Sequence, residues 1–291
     1  MSRIQLSVVV AVAPGHPALV ATVRSLEAAL TGVDAEIIVV GGEAPARAEH
    51  RLAMRHITAS DGTLVPVAWG VGIAAAEGDL VACLSTEFTV HPEWATALIP
   101  MLREEVVGAA GAIALAPHSS QPSTAMYLLR FAPFLPGNGS PAQRDNIPGD
   151  GALYRRDRIL EHPDLLAEGF WEIEFHRRWL AAGHSLLFDP AAMVTFLGPI
   201  PLAEGIALRY RHGVTYGSTM VLRHSNSRMR HILLAPVLPF VLTGRIARRL
   251  REHGGSLAPL VRALPALLAL TGAWSAGEAI GAMRPTEGAT K

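Results

Sequence analysis

A carboxylate and an imidazole stand four residues apart in a stretch with helical periodicity, Trp171–Ala182. Residues four apart share one face of a helix, so Glu172 and His176 are expected to lie side by side. Such a pair can take a proton from a hydroxyl group, with the carboxylate as general base. The imidazole would then be a neighbour of the carboxylate or a contact to the molecule that carries the hydroxyl. A helix-surface ion pair of Glu172 with Arg177 or Arg178 is the alternative, and the spacing leaves both open.

Two other segments carry groups suited to phosphate or to a closely approaching ligand. Arg155 and Arg156 are adjacent, and a guanidinium group pairs well with phosphate. A solvated pair near Asp157 is the competing interpretation. Gly41 and Gly42 follow an apolar run and would let the backbone approach a ligand closely, although they also suit an ordinary turn at the end of a strand.

The elements that must position these residues alternate between buried strands and helices. Continuous apolar runs rich in β-branched residues indicate strands that are buried on both faces. Their alternation with helical patterns predicts an α/β fold, with a mostly parallel sheet flanked by helices. The predicted strands are Leu6–Val12, Glu36–Val40, Leu64–Val67, Leu80–Leu84 and Val106–Leu115, with predicted helices at 18–31, about 70–77 and Trp171–Ala182.

The second half of the predicted domain is less regular. Residues 117–148 carry many Pro, Gly and Ser residues and are predicted to form a long loop, a feature that is usually functional or mobile. Gly183 is expected to end the preceding helix as a C-cap. Two short strands, Ser185–Asp189 and Met193–Phe196, are predicted on either side of Pro190.

Length and composition fit one large α/β domain with an appendage, or two small domains. The chain has 291 residues, of which 50% are hydrophobic, and a core of that size needs no disulfide staples. The single cysteine, Cys83, sits in an apolar run and is predicted to be a small buried hydrophobe. The N-terminus lacks the pattern of a signal peptide.

Charge is divided unevenly along the chain, although the net charge is zero. Residues 1–208 hold 13 Arg and 22 acidic residues, whereas residues 209–291 hold 12 basic and 3 acidic residues. A basic tail on an acidic body predicts an anionic surface as a partner. Apolar runs at Ile232–Thr243 and Leu257–Ala273 favour anionic lipid over nucleic acid, with helices lying in the membrane interface. The alternatives are a hairpin that dips through the bilayer and helices that pack on the preceding domain.

Five segments follow one another in an order that is typical of a known family. They are Ser7–Val12, Glu36–Gly42, Gly70–Cys83, Pro148–Arg156 and Glu172–Pro190. In this order they resemble the family 2 glycosyltransferases of the GT-A fold. The resemblance covers about residues 5–200, and residues 209–291 look like the membrane-associated C-terminus of some members. It implies a domain at 1–208, followed by a basic and apolar helical tail at 209–291 on the cytoplasmic face of the cell membrane.

The resemblance implies transfer of a sugar from a nucleoside diphosphate carrier to an acceptor hydroxyl, with inversion at the sugar carbon. Glu172 falls where the family places its catalytic carboxylate, and Trp171 replaces the acid that usually precedes it. The Pro148–Arg156 segment looks like the family's acceptor side. Its implied acceptor contacts are Gly149, Asp150, Arg155 and Arg156.

The donor side departs from the family pattern. Ser85, Thr86 and Glu87 stand where the family has Asp-x-Asp, so Glu87 is the one remaining candidate ligand for Mg²⁺ or Mn²⁺. Phe196 stands where the family commonly has a His, so a second metal ligand is missing. Without a metal, other groups must stabilise the charge of the diphosphate. Pro14, Gly41 and Gly42 replace the usual polar turns, and Trp69 is interpreted either as a stacking surface for a base or as a core residue.

The sequence therefore leaves two functions open. The first is a glycosyltransferase with relaxed or absent metal dependence. The second is a non-catalytic GT-A-fold protein that binds a nucleotide, a glycan or a partner. A nucleotidyltransferase is a weaker third possibility, because residues 11–17 make a poor phosphate loop.

Overall fold

A nine-stranded sheet is the centre of the computed structural model, which describes residues 4–13, 18–43, 52–60, 62–198, 201–223 and 228–284. The strands are β1 Leu6–Ala11, β2 Ala35–Val40, β3 Ala53–Ile57, β4 Leu80–Ser85, β5 Phe88–Val90, β6 Val106–Leu115, β7 Ala142–Gln143, β8 Ala152–Arg155 and β9 Ser185–Phe196. The helices are α1 Leu19–Ala29, α2 Val65–Ala75, α3 Trp94–Leu98, α4 Gln121–Phe131, α5 Arg156–Leu160, α6 Pro163–Ala167, α7 Glu172–Ala181, α8 Leu202–Arg223, α9 Arg228–Leu234, α10 Leu238–Glu252 and α11 Ala258–Met283.

The sheet is parallel in its first half and mixed beyond it. Its order is β3-β2-β1-β4-β8-β6-β9-β5, with β7 paired to β9. Strands β1 to β4 pair in parallel, β8 runs antiparallel between β4 and β6, and β6 is parallel to β9. The expected α/β fold with a helix-flanked sheet is confirmed. The C-terminal ends of β1, β2 and β4 and the first residue of β8 consequently share one edge.

The chain packs as two units. The first contains residues 1–116 and 134–197, and the second contains residues 117–133 and 198–291. The apolar runs of β1, β2 and β4 lie in the core of the first unit, and Cys83 is fully buried there, as its surroundings in the sequence predict. The division of the chain at residue 208 into a catalytic domain and a membrane-associated tail stays a prediction.

Three predicted strands of the first unit are different in the structure. Leu64–Val67 is not a strand, because Pro66 occupies the first turn of α2, where its missing N–H costs nothing. The third parallel strand is β3 instead, a half-exposed edge strand that lacks a continuous apolar run. Ser185–Phe196 forms one strand with an irregular register at residue 190 rather than two short strands.

The predicted loop at 117–148 contains a helix. Helix α4 begins after Ser120, whose Oγ accepts a hydrogen bond from the backbone N–H of Ser123 at 3.3 Å. Pro122 stands in the first turn of the helix. A serine cap followed by proline is a helix start, so the residues that suggested a loop begin α4 instead.

Helices α8 and α11 of the second unit approach each other at paired glycines. A methyl group on Gly217 would lie 2.1 Å from the carbonyl oxygen of Glu278, and one on Gly281 would lie 2.0 Å from that of Val214. Gly213 and Gly277 face backbone of the opposite helix in the same way. Each helix therefore presents a Gly-x-x-x-Gly pattern, which permits such contact between backbones.

Candidate active site

The turn after β4 is tied to the end of β1 and is closed to solvent. The backbone N–H of Thr86 donates to the carbonyl oxygen of Ala11, and the N–H of Ala13 donates to Thr86 Oγ1, both at 3.0 Å. Ser85 and Thr86 are fully buried, and Glu87 is 9% exposed. The structure thus brings the predicted donor-side residues Ser85, Thr86 and Glu87 to the carboxyl edge of the parallel strands.

Asp150 joins this turn from the start of β8. Its Oδ1 accepts a hydrogen bond from the backbone N–H of Ser85 at 2.9 Å. Gly151, with φ of +77°, donates its N–H to the carbonyl oxygen of Cys83 at 2.8 Å, and its own carbonyl accepts from Trp94 Nε1. The turn before β8 is therefore locked against the end of β4, and it holds a buried carboxylate at the strand ends.

Glu172 lies against the same turn from the other side. A methyl group placed on Gly149 would lie 3.1 Å from the carboxyl carbon of Glu172 and 3.1 Å from Cζ3 of Trp69. Only a residue without a side chain leaves room for the carboxyl group here. Glu172 is half-buried at the first position of α7. The predicted base and the predicted acceptor turn thus meet directly.

The segment that leads into α7 is fixed on α2. The backbone N–H of Phe170 donates to the carbonyl oxygen of Pro66 at 2.7 Å. A methyl group on Gly70 would lie 2.9 Å from the Cα of Gly169, so the two segments pack at the distance that glycine allows. This contact sets where α7 begins and hence where Glu172 stands.

The two arginines that were candidates for an ion pair with Glu172 pair with other carboxylates instead. Arg177 pairs with Glu174 at 3.2 Å, and Arg178 pairs with Asp164 at 2.6 Å. Both arginines point to the exposed side of α7. Glu172 is on the side that faces Gly149, so the alternative based on the neighbouring arginines does not describe the structure.

His176 is on the inner face of α7 and is only 1% exposed. Its Nδ1 lies 2.6 Å from Asn146 Oδ1, and its Nε2 lies 3.0 Å from the hydroxyl of Tyr154. Burial lowers the pKa of His176 to about 3, so the imidazole is neutral. Asn146 Oδ1 can only accept, so Nδ1 carries the proton and Nε2 accepts from Tyr154. His176 positions Tyr154 and has no free ring nitrogen for an acceptor.

The two carboxylates influence the buried groups between them. Burial raises the pKa of the Cys83 thiol, and the charges of Asp150 and Glu172 raise it further. Burial likewise raises the pKa of Tyr154, with Glu172 as the largest charge effect. Both groups therefore stay protonated. Because the charges of Asp150 and Glu172 raise the pKa of the same two buried side chains, the two carboxylates lie near one another.

Gly41 and Gly42 form a turn at the same carboxyl edge. Both have positive φ, at +85° and +64°, and a methyl group on Gly42 would lie 2.9 Å from Cγ1 of Val12. The backbone of this turn thus packs on the end of β1 in a conformation that favours glycine. Pro14, the remaining predicted donor contact, lies outside the described residues.

Trp69 belongs to the core rather than to a base-stacking surface. It is 3% exposed, and its Nε1 donates to the carbonyl oxygen of Leu84 at 2.9 Å. The ring packs beside Gly149, where an added methyl group would lie 3.1 Å from Trp69 Cζ3. The core interpretation of Trp69 therefore describes the structure.

Arg155 and Arg156 are not brought to the site. Strand β8 is antiparallel to β4, so Ala152 pairs with Cys83 and Arg155 pairs with Leu80. Arg155 is therefore five residues from Ser85 along the sheet, roughly 16 Å at ~3.3 Å per residue. It pairs with Asp157 at 2.7 Å, which agrees with the solvated alternative.

The described residues do not fit a metal cage built by the protein alone. Phe196, where the resemblance leads one to expect a histidine, is fully buried and packs on Phe88, with ring centroids 5.4 Å apart. The neighbouring N–H of Leu197 donates to the carbonyl oxygen of Glu87, so this strand end does lie beside the candidate ligand. Among the described residues, no three His, Cys, Asp or Glu side chains are grouped to hold an ion.

Comparisons with known proteins gave matches among solved structures alone. No family model matches the chain, and no curated protein matches it. Among solved structures, the chain is similar to GalNAc-T7 crystallised with UDP, GalNAc and Mn²⁺, at 15% identity and a TM-score of 0.47 over 67% of this chain and 44% of that one. It is also similar to residues 1–349 of S. aureus TarS, at 12% identity and a TM-score of 0.47 over 72% of this chain and 64% of that one.

Both likenesses have TM-scores below 0.5, so the class of fold rests on the structure itself, an α/β architecture in which helices flank a central mixed sheet. The chain spans less than two thirds of either structure's own length. Activity, substrates and partners of this chain are accordingly a matter of proposal from its own site.

Proposed function

We propose that the chain is an inverting glycosyltransferase that moves a sugar from a nucleoside diphosphate donor to an acceptor hydroxyl. The observation that carries this proposal is the position of the Glu172 carboxyl, which packs on Gly149 beside the turn that Asp150 ties to Ser85. A carboxylate beside the carboxyl ends of parallel strands is where a base can meet a ligand bound at those ends.

In this proposal each group of the site has one task. The acceptor hydroxyl loses its proton to Glu172, and its oxygen forms a bond to the anomeric carbon of the sugar. The bond from that carbon to the diphosphate breaks on the opposite face, and the diphosphate leaves with the electron pair. Asp150 holds the Ser85 turn, and Gly149 lets the carboxylate approach.

The charge of the leaving diphosphate is the demanding part of the reaction. Glu87 alone makes a poor divalent-ion site, and Arg155 and Arg156 are at the other edge of the sheet. Backbone N–H groups at the strand ends, including the turn at Gly41 and Gly42, are the groups proposed to meet this charge. Metal dependence is therefore expected to be weak.

A non-catalytic binding protein is the second candidate. Phe196 fills a core position where a ligand side chain would be useful, and Ser85 Oγ is buried without a hydrogen-bond partner among the described residues. These features would suit a protein that still binds a nucleotide or a glycan but no longer catalyses sugar transfer.

Calorimetry with UDP-, GDP- and TDP-sugars, with and without Mn²⁺, separates the two candidates. We expect one donor to bind and to be hydrolysed slowly, with little change on adding Mn²⁺. Donor binding without hydrolysis or transfer to any offered acceptor would indicate the non-catalytic protein. A strict requirement for Mn²⁺ would contradict the proposed metal-independent site, and failure of every donor to bind would remove the glycosyltransferase proposal.

We further propose that the second unit attaches the protein to the anionic cytoplasmic face of the cell membrane. Helix α11 is long and apolar enough to cross a bilayer by length and composition, but 44% of its most apolar window is buried. Large apolar side chains of α9 and α10 are more exposed, with Leu233 at 66% and Phe240 at 67%. Basic residues of α10 accompany them, and this combination suits an interfacial helix.

Replacing Phe240 by Glu is expected to reduce sedimentation with vesicles of phosphatidylcholine and phosphatidylglycerol about tenfold, because the contact between the phenyl ring and the lipid is lost. Val261→Glu on α11 is the matched control, since Val261 is also exposed, at 64%. Equal losses for the two variants, or no sedimentation of the wild-type protein, would contradict attachment through α9 and α10.

A further inference from the structure

A stacked arginine lies in the second unit, on helix α8. The guanidinium carbon of Arg209 is 4.3 Å from the ring centroid of Trp274 on α11, so the indole covers one face of the cation. The Nε atom of Arg209 is buried and has no hydrogen-bond acceptor in the described part of the chain. Buried donors of native proteins normally have a partner, and a donor left without one lowers stability.

Other basic residues lie near this guanidinium. Burial and the charge of Arg130 on α4 lower the pKa of Arg209 to about 10. Partial burial and the charges of Arg209, Arg211 and Arg130 lower the pKa of His212. In the described ranges no carboxylate oxygen lies within 4.0 Å of Arg209. The partly buried charge of Arg209 and the charge of Arg130 repel each other, and a bound anion would relieve that repulsion.

One carboxylate of this unit orients the indole and does not neutralise the arginine. Glu278 Oε2 accepts a hydrogen bond from Trp274 Nε1 at 2.9 Å, and Oε1 lies 2.5 Å from His231 Nδ1. Glu278 is 8% exposed, so it is engaged on the side of α9 and α11. Trp274 is thereby held in place as the surface on which Arg209 stacks.

We propose that Arg130, Arg209 and His212 form a binding site for a phosphate group. A guanidinium stacked on an aromatic ring is pre-organised, and its planar edge matches the oxygens of a phosphate. The phosphate can belong to a lipid headgroup or to a soluble phosphate compound, because the recognition chemistry is the same. This site concerns the second unit alone and goes beyond the proposed sugar transfer.

Two measurements on the full chain test this site. The first compares the unfolding temperature in sodium phosphate with that in sodium chloride of equal ionic strength. The second compares sedimentation with phosphatidylcholine vesicles that contain phosphatidic acid or, at equal surface charge, oleic acid. We expect the wild-type protein to prefer phosphate in at least one measurement, and Arg209→Gln to weaken that binding about tenfold.

Matched variants separate the site from general charge and from misfolding. Arg262→Gln removes an equal charge from an exposed position of α11 and is expected to keep the wild-type preference. Arg130→Gln alters an exposed residue, so it tests the site even if Arg209→Gln fails to fold.

The pattern of results also identifies the source of the phosphate. An effect only with phosphatidic acid assigns the site to a lipid headgroup, and an effect only with inorganic phosphate assigns it to a soluble compound. Equal binding by the wild-type, Arg130→Gln and Arg262→Gln proteins would overturn the proposal. Neither readout depends on sugar transfer, so this result and that of the donor experiments are independent.

Discussion

Replacing Glu172 by Gln is expected to reduce sugar transfer about 100-fold or more, because a positioned general base commonly contributes 10²–10⁴-fold. The change removes the ability to accept a proton and keeps the size of the side chain, so packing on Gly149 is retained. Donor affinity is therefore expected to stay near the wild-type value. Turnover of the donor identified by calorimetry, together with its dissociation constant, is the measurement.

Glu174→Gln is the matched control for this experiment. Glu174 is in the same first turn of α7 but is exposed and pairs with Arg177. Because an exposed ion pair contributes little, this variant is expected to keep its activity and stability. A fully active Glu172→Gln enzyme would remove the assignment of the base, and equal losses in both variants would indicate a general effect on α7.

Replacing Gly111 by Ala is expected to destabilise the first unit by about 3 kcal/mol, at the upper end of ordinary overpacking. A methyl group on Gly111 would lie 1.3 Å from the carbonyl oxygen of Ala192, where β9 bulges over β6. The bulge is held by Asp189 Oδ1, which accepts from the N–H of Ala191 at 2.9 Å, so it cannot simply move away. Denaturant unfolding followed by circular dichroism measures the loss.

The same substitution at Gly244 is expected to have the opposite sign. Gly244 is inside α10, and no atom lies within 4 Å of a methyl group added there. Alanine should thus stabilise the helix by about 0.5–1 kcal/mol through its better helix propensity. A Gly111→Ala protein as stable as the wild type would show that β9 relaxes freely at the bulge.

The parallel part of the fold was predictable because its strands are buried on both faces. Runs such as Val8–Ala11 and Ile37–Val40 are continuously apolar, and a strand with such a run is expected to be buried on both faces. Strand β3 has no such run, and α4 begins in residues that also suit a loop. Local composition could not separate these cases, because the deciding factor is pairing with a distant segment.

The candidate site was predictable only in part, for a similar reason. Helical spacing placed Glu172 and His176 on one face, but burial of that face decides that His176 is neutral and structural. The resemblance implies that residues 148–156 contact the acceptor together. In the structure β8 runs away from the site, so Gly149 lies at one edge of the sheet and Arg155 lies near the other. Local sequence does not reveal this, because the direction of a strand is a property of the whole sheet.

The glycine contacts between α8 and α11 have a consequence for the surroundings in which the second unit can exist. Gly217 and Gly281 place backbone against backbone, so the association of these helices depends more on close van der Waals contact than on burial of apolar side chains. Van der Waals attraction between the helices persists when their outer faces contact the hydrocarbon of a bilayer. The pair can accordingly keep one geometry in the aqueous phase and at a lipid boundary, and it need not rearrange on passing between them.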